Sequence, residues 1–123
     1  MRLSTILLIA TTLLGCKSTK DNILENYPSA QSPDKKAVVY QTSFEENGIY
    51  KVSLGTWIES AFATGGSGIF DIQMDTIENL KFEWTSDSSI KVVYPSYGKV
   101  LRQERQCYFA GKDIYINYEI DSK

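Results

Sequence analysis

The chain has 123 residues, 42% hydrophobic and 23% charged, with 2 Trp, 8 Tyr, 5 Phe and a formal charge of −2. That composition fits one globular domain and excludes a disordered tail, a collagen-like repeat and a multi-span membrane protein. Histidine is absent and Cys16 and Cys107 are the only cysteines, which rules out a Ser-His-Asp triad, a histidine proton shuttle and any His-containing zinc site. A mildly acidic balance gives no general attraction for nucleic acid, so none is expected as a partner.

The N-terminus begins with one positive charge, Arg2, followed by the apolar run Ile6 to Leu14 and then Gly15-Cys16. Crossing a bilayer core takes roughly 20 apolar residues. This run is shorter and has the length of the h-region of a secretory signal peptide. A buried core helix would carry a polar stripe, and this segment has no charge after Arg2. The ending Leu13-Leu14-Gly15-Cys16 resembles the lipobox of bacterial lipoprotein precursors. The resemblance implies cleavage before Cys16, a diacylglyceryl group on its thiol and an acyl chain such as palmitate on the new N-terminus. Two or three chains hold a protein stably where one binds only marginally. Residues 1–15 are thus the expected lipoprotein signal peptide, Cys16 the lipid attachment residue and the membrane the first expected partner. Lys17 stands where an Asp retains many enterobacterial lipoproteins in the inner membrane, and no acidic residue directly follows Cys16. The implied location is the periplasmic face of an outer membrane rather than the inner membrane or the cell surface.

Residues 16–36 read as the lipidated Cys and a flexible polar tether. Ile23, Leu24 and Tyr27 are spaced for one helical turn, which Pro28 stops. From residue 37 to 121 the pattern turns to period two, the mark of half-buried strands. Val38, Tyr40 and Phe44 share one face of the first run, and Asn47-Gly48 is a hairpin signal. Tyr50, Val52 and Leu54 lie on one side of the second run. Gly55 to Thr64 is ambiguous between strand and helical turn, and Gly65-Gly66-Ser67-Gly68 reads as a loop. Then Phe70, Ile72 and Met74 point inward, followed by Leu80, Phe82 and Trp84, and by the run Ile90 to Tyr94 ended by Pro95. Gln106 to Ala110 and a last run with Ile114, Ile116, Tyr118 and Ile120 inward complete the set. About seven short strands with tight turns predict an all-β fold, a single antiparallel meander closing into a sandwich or small barrel.

Three short elements carry a second likeness: Ser32-Pro33-Asp34-Lys35-Lys36, Ala63-Thr64-Gly65-Gly66-Ser67, and Trp84 through Val93. In this order they resemble a group of small bacterial lipoproteins of unknown function. That group usually has Gly where Lys35 stands, and Gly55 to Phe62 looks like an insertion. The likeness implies an anchored β domain and no activity.

The glycine loop lacks the Lys of a phosphate-binding loop and leads into a strand, so it reads as a flexible connection. Glu45-Glu46, Asp71, Asp75, Glu78, Glu83 and Asp113 sit in turns or on outward strand positions, as solvated surface. No metal-ligand ladder and no cofactor signature is present. With Cys16 lipidated, Cys107 has no intramolecular partner; it reads as a buried inert thiol or as one half of an intermolecular disulfide. The remaining candidate is a basic and aromatic concentration, Lys99, Arg102, Arg105 and Lys112 with Tyr97 and Tyr115. Arg and Tyr are enriched in interface hot spots. The expected function is a non-catalytic interaction module for an envelope protein; the alternative is a binder of a small ligand, lipid or glycan in a barrel mouth or cleft.

Overall fold

Strict alternation gives each strand one apolar side, and two sheets bury those sides against each other. A computed structural model describes residues 18–59, 64–109 and 111–121. These residues form helix α1 (Thr19–Asn26) and nine strands: β1 (Ser29–Gln31), β2 (Ala37–Glu46), β3 (Ile49–Glu59), β4 (Thr64–Met74), β5 (Lys81–Ser86), β6 (Ser89–Pro95), β7 (Lys99–Gln103), β8 (Gln106–Phe109) and β9 (Lys112–Asp121). One sheet has the order β1-β2-β3-β4-β7 and the other β5-β6-β9-β8. The protein is an all-β sandwich of two open sheets, and the barrel alternative falls away.

The core lies between the sheets. Leu54, Ile58, Phe70 and Ile72 from the larger one meet Ile90, Val92, Ile114 and Ile116 from the smaller, all 2% exposed or less. Phe70 stacks at a tilt against Tyr94 and Tyr118, with ring centroids 5.2 and 5.3 Å away. The faces expected to be inward on β3, β4, β5 and the first half of β9 are so. Ile120 is not; it is exposed where β9 runs past the core.

The connectivity departs from a meander. β6 and β9 are parallel neighbours, Ser89 opposite Tyr115 and Pro95 opposite Asp121. After Pro95 the chain crosses to the larger sheet as β7 beside β4, then bends at Glu104-Arg105 and returns as β8 beside β9. Tyr118 pins this bend: its hydroxyl donates to the carbonyls of Glu104 and Ile69, a phenol used to hold a sheet-switching corner. At the opposite edge Trp84 Nε1 donates to the Ala30 carbonyl at 2.8 Å and ties β5 to β1.

The stretch expected to be a tether is structured over residues 19–31. Ser18 caps α1 by accepting from the Asp21 N–H at 3.2 Å. Tyr27 ends the helix in an extended conformation, as a residue before proline prefers. Ile23 and Val38 are buried, yet neither belongs to the main core cluster. Val38, Tyr40 and Phe44 do share a face, but it is the outer one: Ala37, Val39 and Gln41 point inward instead. Helix α1 covers Val38, and Tyr27 packs its ring on Tyr40 at 5.9 Å.

Gly65 to Gly68 is strand, not loop. Gly65, Gly66, Ser67 and Gly68 pair with Ile58, Trp57, Thr56 and Gly55, and Ile69 bulges before the register resumes. A Cβ on Gly66 would lie 1.8 Å from the Thr56 carbonyl oxygen, so two backbones meet there. β3 extends through Glu59, which resolves most of the ambiguous segment as strand; residues 60–63 lie outside the described residues. Asn47 and Gly48, at φ 55° and 79°, make the expected hairpin turn.

Candidate functional site

The hairpin β2–β3, the β4–β5 loop and the β6–β7 loop share one end of the sandwich, called distal below. Ser18, the Ser32–Lys36 turn, the β5–β6 turn and the β8–β9 turn share the other, proximal end. The six basic and aromatic candidates do not converge on either. Lys99 pairs with Gln73 on β4, and Arg102 with Asp71, whereas Lys112 pairs with Phe109, whose ring lies over Gly65. From Gln73 to Gly65 is eight strand residues, about 26 Å. Tyr97 and Lys99 are therefore distal, Lys112 is proximal, and Arg102 and Arg105 lie between. Tyr115 is exposed on the outer face of the smaller sheet.

Three of these six groups already have side-chain partners. Arg102 Nε bonds Glu104 at 3.2 Å, and its guanidinium lies over Gly68. Tyr97 donates to the Glu78 carboxylate; that bond, with the negative charges of Glu78 and Asp75, pushes the phenol up from its usual value. Lys112 Nζ lies 3.0 Å from Asp34 Oδ2.

Asp34 is the hub of the proximal end. Its Oδ1 accepts from the Ser32 hydroxyl at 2.6 Å and the Lys36 N–H at 3.1 Å, and its own N–H donates to Asp87 at 2.8 Å. Partial desolvation pulls the carboxyl up, but Ser32, Lys36 and the Lys112 ammonium together outweigh it and hold the group at about 2. The Ser-Pro-Asp motif thus joins turns of both sheets. Lys35 takes φ 63° within it, the conformation that explains why glycine suits this position.

Cys107 is half-buried, its sulfur 3.7 Å from Thr56 Oγ1. Burial pushes the thiol up from its usual value, and the Asp113 and Glu104 charges add to this. Among the described residues no activating cation touches it, so the geometry suits an inert thiol. Among the described residues no group of three His, Cys, Asp or Glu side chains could hold a metal ion.

Two surface features escaped the sequence. A groove of about 550 Å³ runs beside edge strand β5, between Pro28-Ser29 and Lys81, Phe82 and Glu83. The second is apolar. On the outer face of the larger sheet, Phe44, Ile49 and Leu101 are 62%, 45% and 47% exposed around a depression of about 510 Å³. Leu101 reaches it because β7 bulges there, between Val100 and Arg102. Exposed apolar residues in a period-two pattern look like core until the helix that covers one end of the sheet, and not the other, is seen.

Comparison with known proteins adds no relative: no family model matches the chain, and no curated protein or solved structure matches it either.

Proposed function

We propose that this protein is a lipid-anchored module of the bacterial cell envelope, held to the membrane through Cys16 and acting by binding another envelope protein rather than by catalysis. The observation that carries the reading is the join between the lipobox-like Leu13-Leu14-Gly15-Cys16 and the domain. Helix α1 starts at Thr19 with Ser18 as its cap, and it is seated on β2 through Ile23. In sequence only Lys17 and Ser18 lie between Cys16 and the first residue of α1, a span of at most about 10 Å. An acyl anchor at Cys16 would therefore hold the proximal end close to the headgroups. The periplasmic face of an outer membrane remains the expected location. Among the described residues no helix is long and apolar enough to cross a membrane.

The test is Cys16→Ser in the full chain. Expected are loss of acyl labelling, accumulation of the uncleaved precursor and loss of membrane-held mature protein. Normal maturation and membrane fractionation of that variant would refute the anchor.

A further inference from the structure

Both sheets are open, so among the described residues each ends in strands that have a neighbour on one side only. A bare strand edge is a template for another strand. Three of the four edges are blunted. β1 has three residues, β8 has four next to the Glu104-Arg105 bend, and β7 carries the bulge at Leu101. β5 is the exception: Lys81 to Trp84 pair with Val93 to Ile90 without a break. Beside it lies the groove of about 550 Å³ that separates Lys81, Phe82 and Glu83 from Pro28-Ser29.

The alternation along β5 defines the occupant. Lys81 and Glu83 point outward and are exposed, while Phe82 and Trp84 pack toward the core. Glu83 lies opposite Lys91, which bonds Glu119 at 3.0 Å. Charges therefore alternate in sign across the outer face as far as the edge. Lys81 lies opposite Val93, and no ion pair is found for it among the described residues. A closed pair of identical chains has two-fold symmetry, and a two-fold normal to the smaller sheet sets two β5 edges antiparallel. Facing residues must point to the same side of the joined sheet. The groove spans Lys81 to Glu83, which leaves three registers. Two of them set Lys81 against Lys81 or Glu83 against Glu83. In the third Phe82 faces Phe82, Lys81 meets the partner's Glu83, and Glu83 meets the partner's Lys81. An aromatic pair is then flanked by two unlike charge pairs, each of them favourable across antiparallel strands. An edge lysine ordinarily deters pairing; here it deters every register but one.

We infer that β5 pairs edge to edge with β5 of a second copy of this chain in that register, the groove receiving the partner's strand and the two smaller sheets joining into one. This goes beyond the anchored-module reading and is compatible with it. The same two-fold leaves both helices α1 on one side of the pair, so the segments that lead into them can share one bilayer.

The test uses the full-length protein in two tagged forms, co-expressed and treated with a zero-length carbodiimide, which joins a lysine to a carboxylate only where the two touch. Expected is a tag-to-tag product whose digest contains two copies of the peptide holding Lys81 and Glu83, joined to each other. Lys81→Glu or Glu83→Lys alone makes both charge pairs repulsive and should lower capture of one tag by the other about tenfold. Protein level and protease resistance should stay unchanged. Co-expressing one copy of each variant should restore capture, because the two acids of one copy then face the two lysines of the other. A misfolded edge is not rescued in this way. No capture between parent copies, cross-links through another surface alone, single variants that pair as well as the parent, or a failed rescue would each overturn the proposal. None of these outcomes bears on Cys16, whose acyl labelling tests the anchor separately.

Discussion

At the proximal end, turns from both sheets are bonded to one another: Asp34 links Ser32, Lys36, Asp87 and Lys112, and Lys20 reaches both Glu59 and the Lys35 carbonyl. At the distal end the β2–β3 hairpin tip, among the described residues, bonds only within itself, Glu45 accepting from the Gly48 N–H at 3.0 Å. Its apolar side chains lie in water. The contrast separates residues that hold the fold from residues left over for something else. An exposed Phe beside a satisfied, cross-linked end is harder to explain by stability than by contact with a partner.

The contrast is broken most severely at Gly66. A methyl group there would sit 1.8 Å from the Thr56 carbonyl oxygen, and backbone cannot step aside as a side chain tip can. Gly66→Ala should cost about 3 kcal/mol, the upper range for forcing atoms into filled space. The matching distal change, Phe44→Ser, should move stability by less than about 0.5 kcal/mol, because the ring is mostly in solvent. Urea unfolding of the two variants measures the difference directly. A large loss in Phe44→Ser would show that the distal face is structural after all.

Much of this was legible in the residues. Val52 and Leu54, Phe70 and Ile72, and Ile114 and Ile116 alternate cleanly because each strand is wet on one side. Gly65, Gly66 and Gly68 form a strand without showing one, since a period can be read only from side chains. Helix α1 hid behind a single buried residue, Ile23, because it needs to cover only Val38. In β7 the bulge at Leu101 breaks the alternation, so Lys99 to Gln103 shows no period-two run and is missing from the expected strands. The six-residue candidate patch is dispersed for a related reason. Residues 97 to 115 are close in sequence, but β7, β8 and β9 spread them along the length of the sandwich. Alternation also reports a strand's face and never its neighbour, which is why the parallel β6–β9 pair could not be foreseen.

A second prediction sharpens the proximal side. Asp34 sits at about 2 against 3.8 when unfolded, so its contribution is present above pH 3.8 and is lost as pH falls through 2. The full difference would be worth about 2 kcal/mol without screening. Its side chain is 28% exposed, and screening by water brings the expected loss to about 1 kcal/mol. Asp34→Asn keeps the oxygen that faces Ser32 and Lys36 while removing the charge facing Lys112. Melting curves from pH 2 to 7 should show the variant less stable than the parent by about 1 kcal/mol at pH 7, the two converging near pH 2. A gap that does not close would mean that Asp34 acts through shape and not through charge.

The smallest expected effect has the opposite sign. Lys35 holds a left-handed backbone at φ 63°, which costs a side-chain-bearing residue about 1–2 kcal/mol. Glycine removes that cost but gives back about 0.5–1 kcal/mol through the freedom it adds to the unfolded chain. The bonds made at this position are backbone ones: the Lys35 N–H to the Ser32 carbonyl at 2.8 Å, and the Lys35 carbonyl to Lys20 Nζ at 3.2 Å. All of them survive the substitution. Lys35→Gly should therefore raise stability by about 0.5 kcal/mol, read as a higher urea midpoint at unchanged slope. A lower midpoint would mean that the Lys35 side chain supports the proximal end, and that the Ser-Pro-Asp turn is held by more than its backbone and the Asp34 carboxylate.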